Sequence, residues 1–310
     1  MIRRKSGVGV VRAARGWAAA VVTAMAVGLV VAAGLLGGCG GASTSAGQAA
    51  PLLADNTFMA DIVRNVAGDV LPVASLLPQG ADPHAFEARP KDARRVAESR
   101  AVIINIPGFE PAIDQLIAGT GKKGPQVIEA GAGIAGVKDD PHVWMDPLAV
   151  ITCVDNIRAG LTLLDPSAAE VFARNAQAYD AKLRELDQWI VSQVATIPAP
   201  RRLLVTNHES LGHFAERYGF RVVGTVYPTV SGDGSPSAKG LAELVKQMRA
   251  TGAPAVFLEA GSISDVADEL AKETGVRVVS DLYVHSTGKG ATTYVDMMRW
   301  DVNLIVGALR

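Results

Sequence analysis

The sequence predicts an α/β protein of two similar lobes, with mainly parallel sheets, joined by one long helix. Three observations lead there. From about residue 51 short apolar runs alternate with amphipathic stretches, and the same rhythm resumes after residue 200; strands alternating with helices imply parallel sheets covered by helices. Between the two series lies one uninterrupted amphipathic stripe. Finally, 310 residues with 49% hydrophobic and 20% charged content can bury a substantial core.

The N-terminal residues are a different object. Arg3, Arg4, Lys5, Arg12 and Arg15 precede an apolar run from Ala18 to Leu36, long enough on its own to span a bilayer. The run ends in "LLGGCGGAST", which resembles a bacterial lipobox, so residues 1–38 are expected to be a lipoprotein signal peptide and Cys39 the lipidated N-terminus. Residues 39–50, rich in Gly, Ser and Ala, then read as a flexible tether. Cys153 is the only other cysteine; it lies in the apolar pattern "AVITCVDNI" and is expected to be a buried thiol.

In the first lobe, residues 51–164, strands are expected near 50–55, 70–77, 101–106 and 125–129. Helices are expected near 57–67, 90–98, 111–119 and 147–163. In the second lobe, residues 198–310, strands fall near 202–206, 221–226, 254–258 and 276–280, with helices near 209–218, 237–250, 263–273 and 293–308. The linker, residues 165–197, opens on Asp165 as N-cap and Pro166 at the first helical position. Phe172, Ala176, Tyr179, Leu183, Leu186, Ile190 and Val194 follow in steps of three and four, one face of a helix of roughly 30 residues and about 45 Å. Pro198 and Pro200 stop it. Such a rod buries its stripe only by packing on both lobes.

Charge excludes one class of partner: 30 basic against 31 acidic residues leave no footprint for nucleic acid. The chain has only five histidines, yet it writes Asp-Pro-His twice, at 82–84 and 140–142. Proline fixes its own φ and holds the preceding residue extended, so each tripeptide is a stiff bend that aims an imidazole. His84 follows a strand, His142 a strand and a Gly-rich loop, and His208 and Asp281 come directly after strands of the second lobe. All four therefore lie beyond carboxyl ends of strands, where open α/β sheets bind ligands. Three imidazoles and a carboxylate suit tetrahedral Zn2+; Mn2+ prefers more oxygen, which a bidentate Asp281 could supply. His285 is a rival ligand to Asp281. Glu259, ending the strand "VFLE", is expected to steer a ligand imidazole from behind. "HESLGH" at 208–213 only approximates the H-E-x-x-H of zinc proteases, because histidines five apart point about 140° apart on a helix.

The stretches "LLPQGADPHAFEARPKD", "DPHVWMDP", "LLVTNHESLGHFAERYGF", "VFLEAGSISD", "GVRVVSDLY" and "TTYVDMMRWDVNLIV" resemble the metal-binding receptor lipoproteins of bacterial zinc and manganese ABC transporters, over the whole mature chain. The resemblance implies two (β/α) lobes joined by one rigid helix, with a metal site in the interlobe cleft on His84, His142, His208 and Asp281. It implies a monomer held by lipid to the outer face of the cell membrane, delivering metal to a membrane permease without catalysis. A histidine at 208 favours Zn2+ over Mn2+, since manganese receptors of this kind often place a carboxylate there. One departure is that "GTGKKGPQVIEAGAGIAGVKDD" lacks the His-rich loop of many zinc receptors. Rival readings are a secreted zinc hydrolase using Glu209 or Glu259 as base, and a surface adhesin.

Overall fold

The computed structural model describes residues 50–229, 237–261 and 265–310. The expected signal peptide, Cys39 and all but the last residue of the tether lie outside the described residues. In the first lobe β1 (Leu52–Ala54), β2 (Val73–Ser75), β3 (Ala101–Ile104) and β4 (Gln126–Glu129) form an all-parallel sheet in the order β2-β1-β3-β4. The second lobe repeats the topology. Its strands β5 (Leu203–Thr206), β6 (Arg221–Thr225), β7 (Ala255–Glu259) and β8 (Arg277–Leu282) are ordered β6-β5-β7-β8.

Helices α1 (Thr57–Ala67), α2 (Pro90–Glu98), α3 (Pro111–Gly119) and α4 (Pro147–Leu164) belong to the first lobe. After the linker helix α5 (Ala169–Val194) come α6 (Gly212–Tyr218), α7 (Ala238–Thr251), α8 (Asp265–Thr274) and α9 (Tyr294–Leu309). Local chemistry sets several starts. The Asn56 side chain accepts from Met59 N at 2.9 Å to cap α1. Asp146 accepts from Leu148 N at 2.8 Å, with Pro147 as the first residue of α4.

Strand alternation divides the core. Leu52, Ala54, Ala101 and Ile103 face a central cluster, whereas Leu53, Val102 and Ile104 face an outer one. In the second lobe Leu204, Ala255 and Phe257 join that same central cluster, while Leu203, Val205, Val256 and Leu258 face a separate outer one. Both sheets therefore share one interior, buried on both faces, as parallel strands require. The stripe on α5 closes it: all seven residues from Phe172 to Val194 are buried, against α1 and α4 on one side and α9 on the other.

The linker helix starts later than its sequence pattern predicts. Asp165 N donates to Leu161 O at 2.8 Å and so finishes α4. Pro166–Ala168 forms a 3-10 turn, and α5 begins at Ala169. Asp165 accepts from Ser167 Oγ at 2.6 Å inside that turn. The connection is thus the corner of a helical hairpin between α4 and α5 rather than the first turn of a rod. Cys153 on α4 is 1% exposed, and burial pushes its thiol up to about 12, which makes it inert.

Candidate metal centre

The two Asp-Pro-His tripeptides fold alike. Asp82 Oδ1 accepts from His84 N at 2.9 Å, and Asp140 Oδ1 accepts from His142 N at 3.0 Å. Each aspartate closes a turn on the backbone two residues on, and the intervening proline stiffens it. Both turns follow carboxyl ends of first-lobe strands, and the second is fixed further by Asn105 Nδ2, which donates to Pro141 O at 2.7 Å. His208 follows β5, its carbonyl accepting from Thr206 Oγ1 at 2.7 Å. His285 follows β8 on a segment clasped by the other lobe: Trp144 Nε1 donates to Val284 O at 2.8 Å, and Gly80 N donates to Ser286 Oγ at 2.8 Å.

These four segments bring one ligand atom each from His84, His142, His208 and His285 within 4.8 Å of one another. His142 Nε2 stands 3.2 Å from His285 Nε2 and 3.4 Å from His208 Nε2. His142, His208 and His285 are buried, His84 partly so, and the His84 Nε2 atom is itself buried without a hydrogen-bond partner. Phe109, edge-on to His84, and Trp144, against His142, line the wall. A cavity of about 210 Å³ opens beside His208, His285 and Glu259.

Carboxylates behind the rings decide which nitrogen is free. Asp140 Oδ1 lies 2.8 Å from His142 Nδ1. Glu259 serves two rings at once: Oε2 lies 2.9 Å from His285 Nδ1, and Oε1 lies 2.8 Å from His208 Nδ1, off the N–H axis. An ionised carboxylate only accepts, so each of these Nδ1 atoms carries the proton and each Nε2 turns a lone pair inward. The His142 lone pair, 3.2 and 3.4 Å from the other two nitrogens, is repelled by theirs unless a cation sits among them.

Electrostatics favours the neutral ring at His84 and His142. Burial, then the rings of His285, His142 and His208, lowers His84 to about 2. Burial lowers His142 to about 4 despite Asp140. Burial alone would raise Glu259, but His285 and then His208 hold it well below the usual carboxylate range. Neutral imidazoles backed by anions are the form in which histidine binds metal.

Asp281 is not brought to this cluster, which corrects the expected set of three imidazoles and one carboxylate. β7 advances two residues, Phe257 to Glu259, while β8 advances three, Val279 to Leu282. The extra residue is a bulge, and Asp281 takes it up in the left-handed region, at φ 73°. Its side chain is exposed beside Ser280 Oγ, and its carbonyl accepts from Trp300 Nε1 at 2.9 Å. The bulge rephases the chain so that Val284 and His285 turn inward instead. Glu259 stands behind His208 and His285. Asp140 was missed, although it is the first letter of the second Asp-Pro-His. His213 lies in the first turn of α6, and its Nε2–H donates to Asp140 O at 2.9 Å.

Comparison with known proteins follows the same lines. The family model described as zinc-uptake complex component A, periplasmic, matches residues 53–308. A manganese-binding lipoprotein, MntA, of Halalkalibacterium halodurans is 30% identical over 293 residues, 91% of this chain and 96% of that protein. The cadmium-bound periplasmic metal binding protein of Candidatus Liberibacter asiaticus superposes with TM-score 0.75 at 28% identity, over 84% of this chain and 100% of that one. The periplasmic zinc binding protein TroA of Treponema pallidum gives TM-score 0.76 at 25% identity, over 84% and 99%.

Proposed function

The chain belongs to the family described as zinc-uptake complex component A, a family of metal-binding receptors of ABC transporters, and on that footing we propose that it captures Zn2+ outside the cytoplasm and hands it to a membrane permease. The observation that carries this reading is the convergence of the three carboxylate-fixed lone pairs of His142, His208 and His285, with the partnerless His84 Nε2 completing a set of four. Four Zn–N bonds of about 2.0–2.1 Å in a tetrahedron require nitrogens about 3.3–3.4 Å apart. The separations of 3.2 and 3.4 Å at His142 match two of those edges. His84, on its surface turn, is the arm that closes on the ion.

A shell filled by four protein ligands has no position for a reacting water, so capture and release rather than hydrolysis is the chemistry it supports. Lipid on Cys39 would hold the receptor at the outer face of the membrane beside its permease. Because α5 is a continuous helix packed on both lobes, loading would move the His84 turn and tilt the lobes slightly. Manganese is the second reading, favoured by the name of the Halalkalibacterium halodurans relative. The test is elemental analysis of protein purified without chelator, with His208→Ala beside it. One zinc per chain in the parent and a large loss in the variant are expected; a parent carrying manganese or no metal would overturn the zinc reading.

A further inference from the structure

Both carboxylates nearest the candidate metal position stand behind imidazoles, not among the ligand atoms. Among the described residues, the only cluster of metal-ligating side chains is the set of four histidines, which offers nitrogen alone. The two Glu259 oxygens face His285 and His208, and Asp140 Oδ1 is taken by His142. Asp140 Oδ2 turns toward Gly212, where a Cβ would meet it at 2.4 Å. Neither carboxylate can swing to the metal without abandoning a ring. The single carboxylate expected as a ligand, Asp281, is carried out to solvent by the bulge in β8.

We propose that His285 sets the metal preference of this site, because its ring both completes a nitrogen-only shell and holds Glu259 back from the ion. The proposal rests on the receptor reading above. For a given set of donors Mn2+ binds most weakly of the first-row divalent ions, and what favours it relatively is carboxylate oxygen. Four neutral imidazoles supply none, so the site accepts nitrogen-loving ions such as Zn2+ and excludes Mn2+. The two positive charges of the ion are balanced one step away by Glu259 and Asp140. Position 285 is decisive because its contact with Glu259 is the well-formed hydrogen bond of the two; the His208 contact is bent. A carboxylate at 285 would therefore supply an oxygen of its own and leave Glu259 held by His208 alone.

The experiment is competition of Zn2+ and Mn2+ against a fluorescent chelator, for the parent, His285→Asp, His285→Ala and Glu259→Gln, with thermal melting to establish that each is folded. The parent should bind Zn2+ far more tightly than Mn2+. His285→Asp should narrow that ratio by at least about tenfold, the scale on which even indirect partners of a ligand act. His285→Ala, which frees Glu259 without adding an oxygen, should narrow it less, and it serves alone if the aspartate variant does not fold. Glu259→Gln should weaken both ions and leave the ratio high. As a readout independent of affinity, Co2+ in the parent should give the intense visible absorption of a tetrahedral ion. A parent that binds both ions equally, a weak octahedral cobalt spectrum, or a ratio unmoved in the folded position-285 variants would overturn the proposal and leave the receptor reading intact. A parent that binds neither ion would sink both.

Discussion

The two lobes contribute two histidines each to the cluster, but they hold them differently. In the second lobe one carboxylate, Glu259 at the end of β7, contacts both His208 and His285, whose rings are stacked 5.1 Å apart and 11° from parallel. In the first lobe each histidine has its own arrangement. His142 is fully buried and fixed by Asp140 through both its backbone and its ring. His84 has only the backbone contact to Asp82, and its Nε2 has no partner. Three of the four donors have a carboxylate behind the ring, and the fourth, His84, has none. That carboxylate thus distinguishes His142, His208 and His285 from His84.

That asymmetry can be broken from its strongest point downward. His142→Ala should have the largest effect, since His142 Nε2 is the atom within 3.4 Å of both second-lobe nitrogens. Zn2+ affinity measured by chelator competition should fall by more than the 10–100-fold typical of an indirect partner. Glu259→Ala, which releases two rings at once, should cost roughly 100-fold, the upper end of that range. Asp140→Asn disturbs one ring and should cost about tenfold. If the Asp140 and Glu259 variants lost equal affinity, the second lobe would have no special clamp.

Smaller effects probe the His84 turn. Ser286 accepts from Gly80 N, tying the turn that bears His84 to the segment that bears His285. Ser286→Ala removes that bond and the one Ser286 Oγ donates to Thr287 O at 2.9 Å, each on the order of 0.5–1.5 kcal/mol, and stopped-flow chelation should show Zn2+ leaving a few-fold faster. The smallest signal is in the metal-free protein. His84 and His142 are held at about 2 and about 4, against about 6.5 in the unfolded chain. Below about pH 6.5 the unfolded state takes up protons that the folded state refuses, so the stability these rings contribute above that pH is lost as pH falls toward 4. Chemical denaturation of metal-free His84→Ala across pH 7 to 5 should show a shallower loss than the parent; an identical slope would mean that the His84 ring is not buried against its neighbours.

Much of this molecule is legible in its sequence because the informative signals are local. Alternation of two places Leu52 and Leu53 on opposite faces of a strand, and steps of three and four put Phe172 through Val194 on one face of a helix. Asp-Pro-His specifies its own turn from the side chain of its first residue, which is why His84 and His142 could be singled out before any fold was known. The end of α4 and the late start of α5 were less legible, because whether Asp165 caps one helix or closes another depends on how the two pack.

The choice between Asp281 and His285 belonged to the tertiary structure alone. Both follow the same apolar run, and both are residues that bind metal. What separates them is one unpaired residue in β8, and a bulge exists only in the pairing of that strand with β7. The same holds for Glu259: the sequence placed it at a strand end near the site, but that its two oxygens would reach two different imidazoles followed from the register across strands and the distance between loops. Local periodicity is written in neighbouring residues; the phase of one strand against another is settled only when they meet.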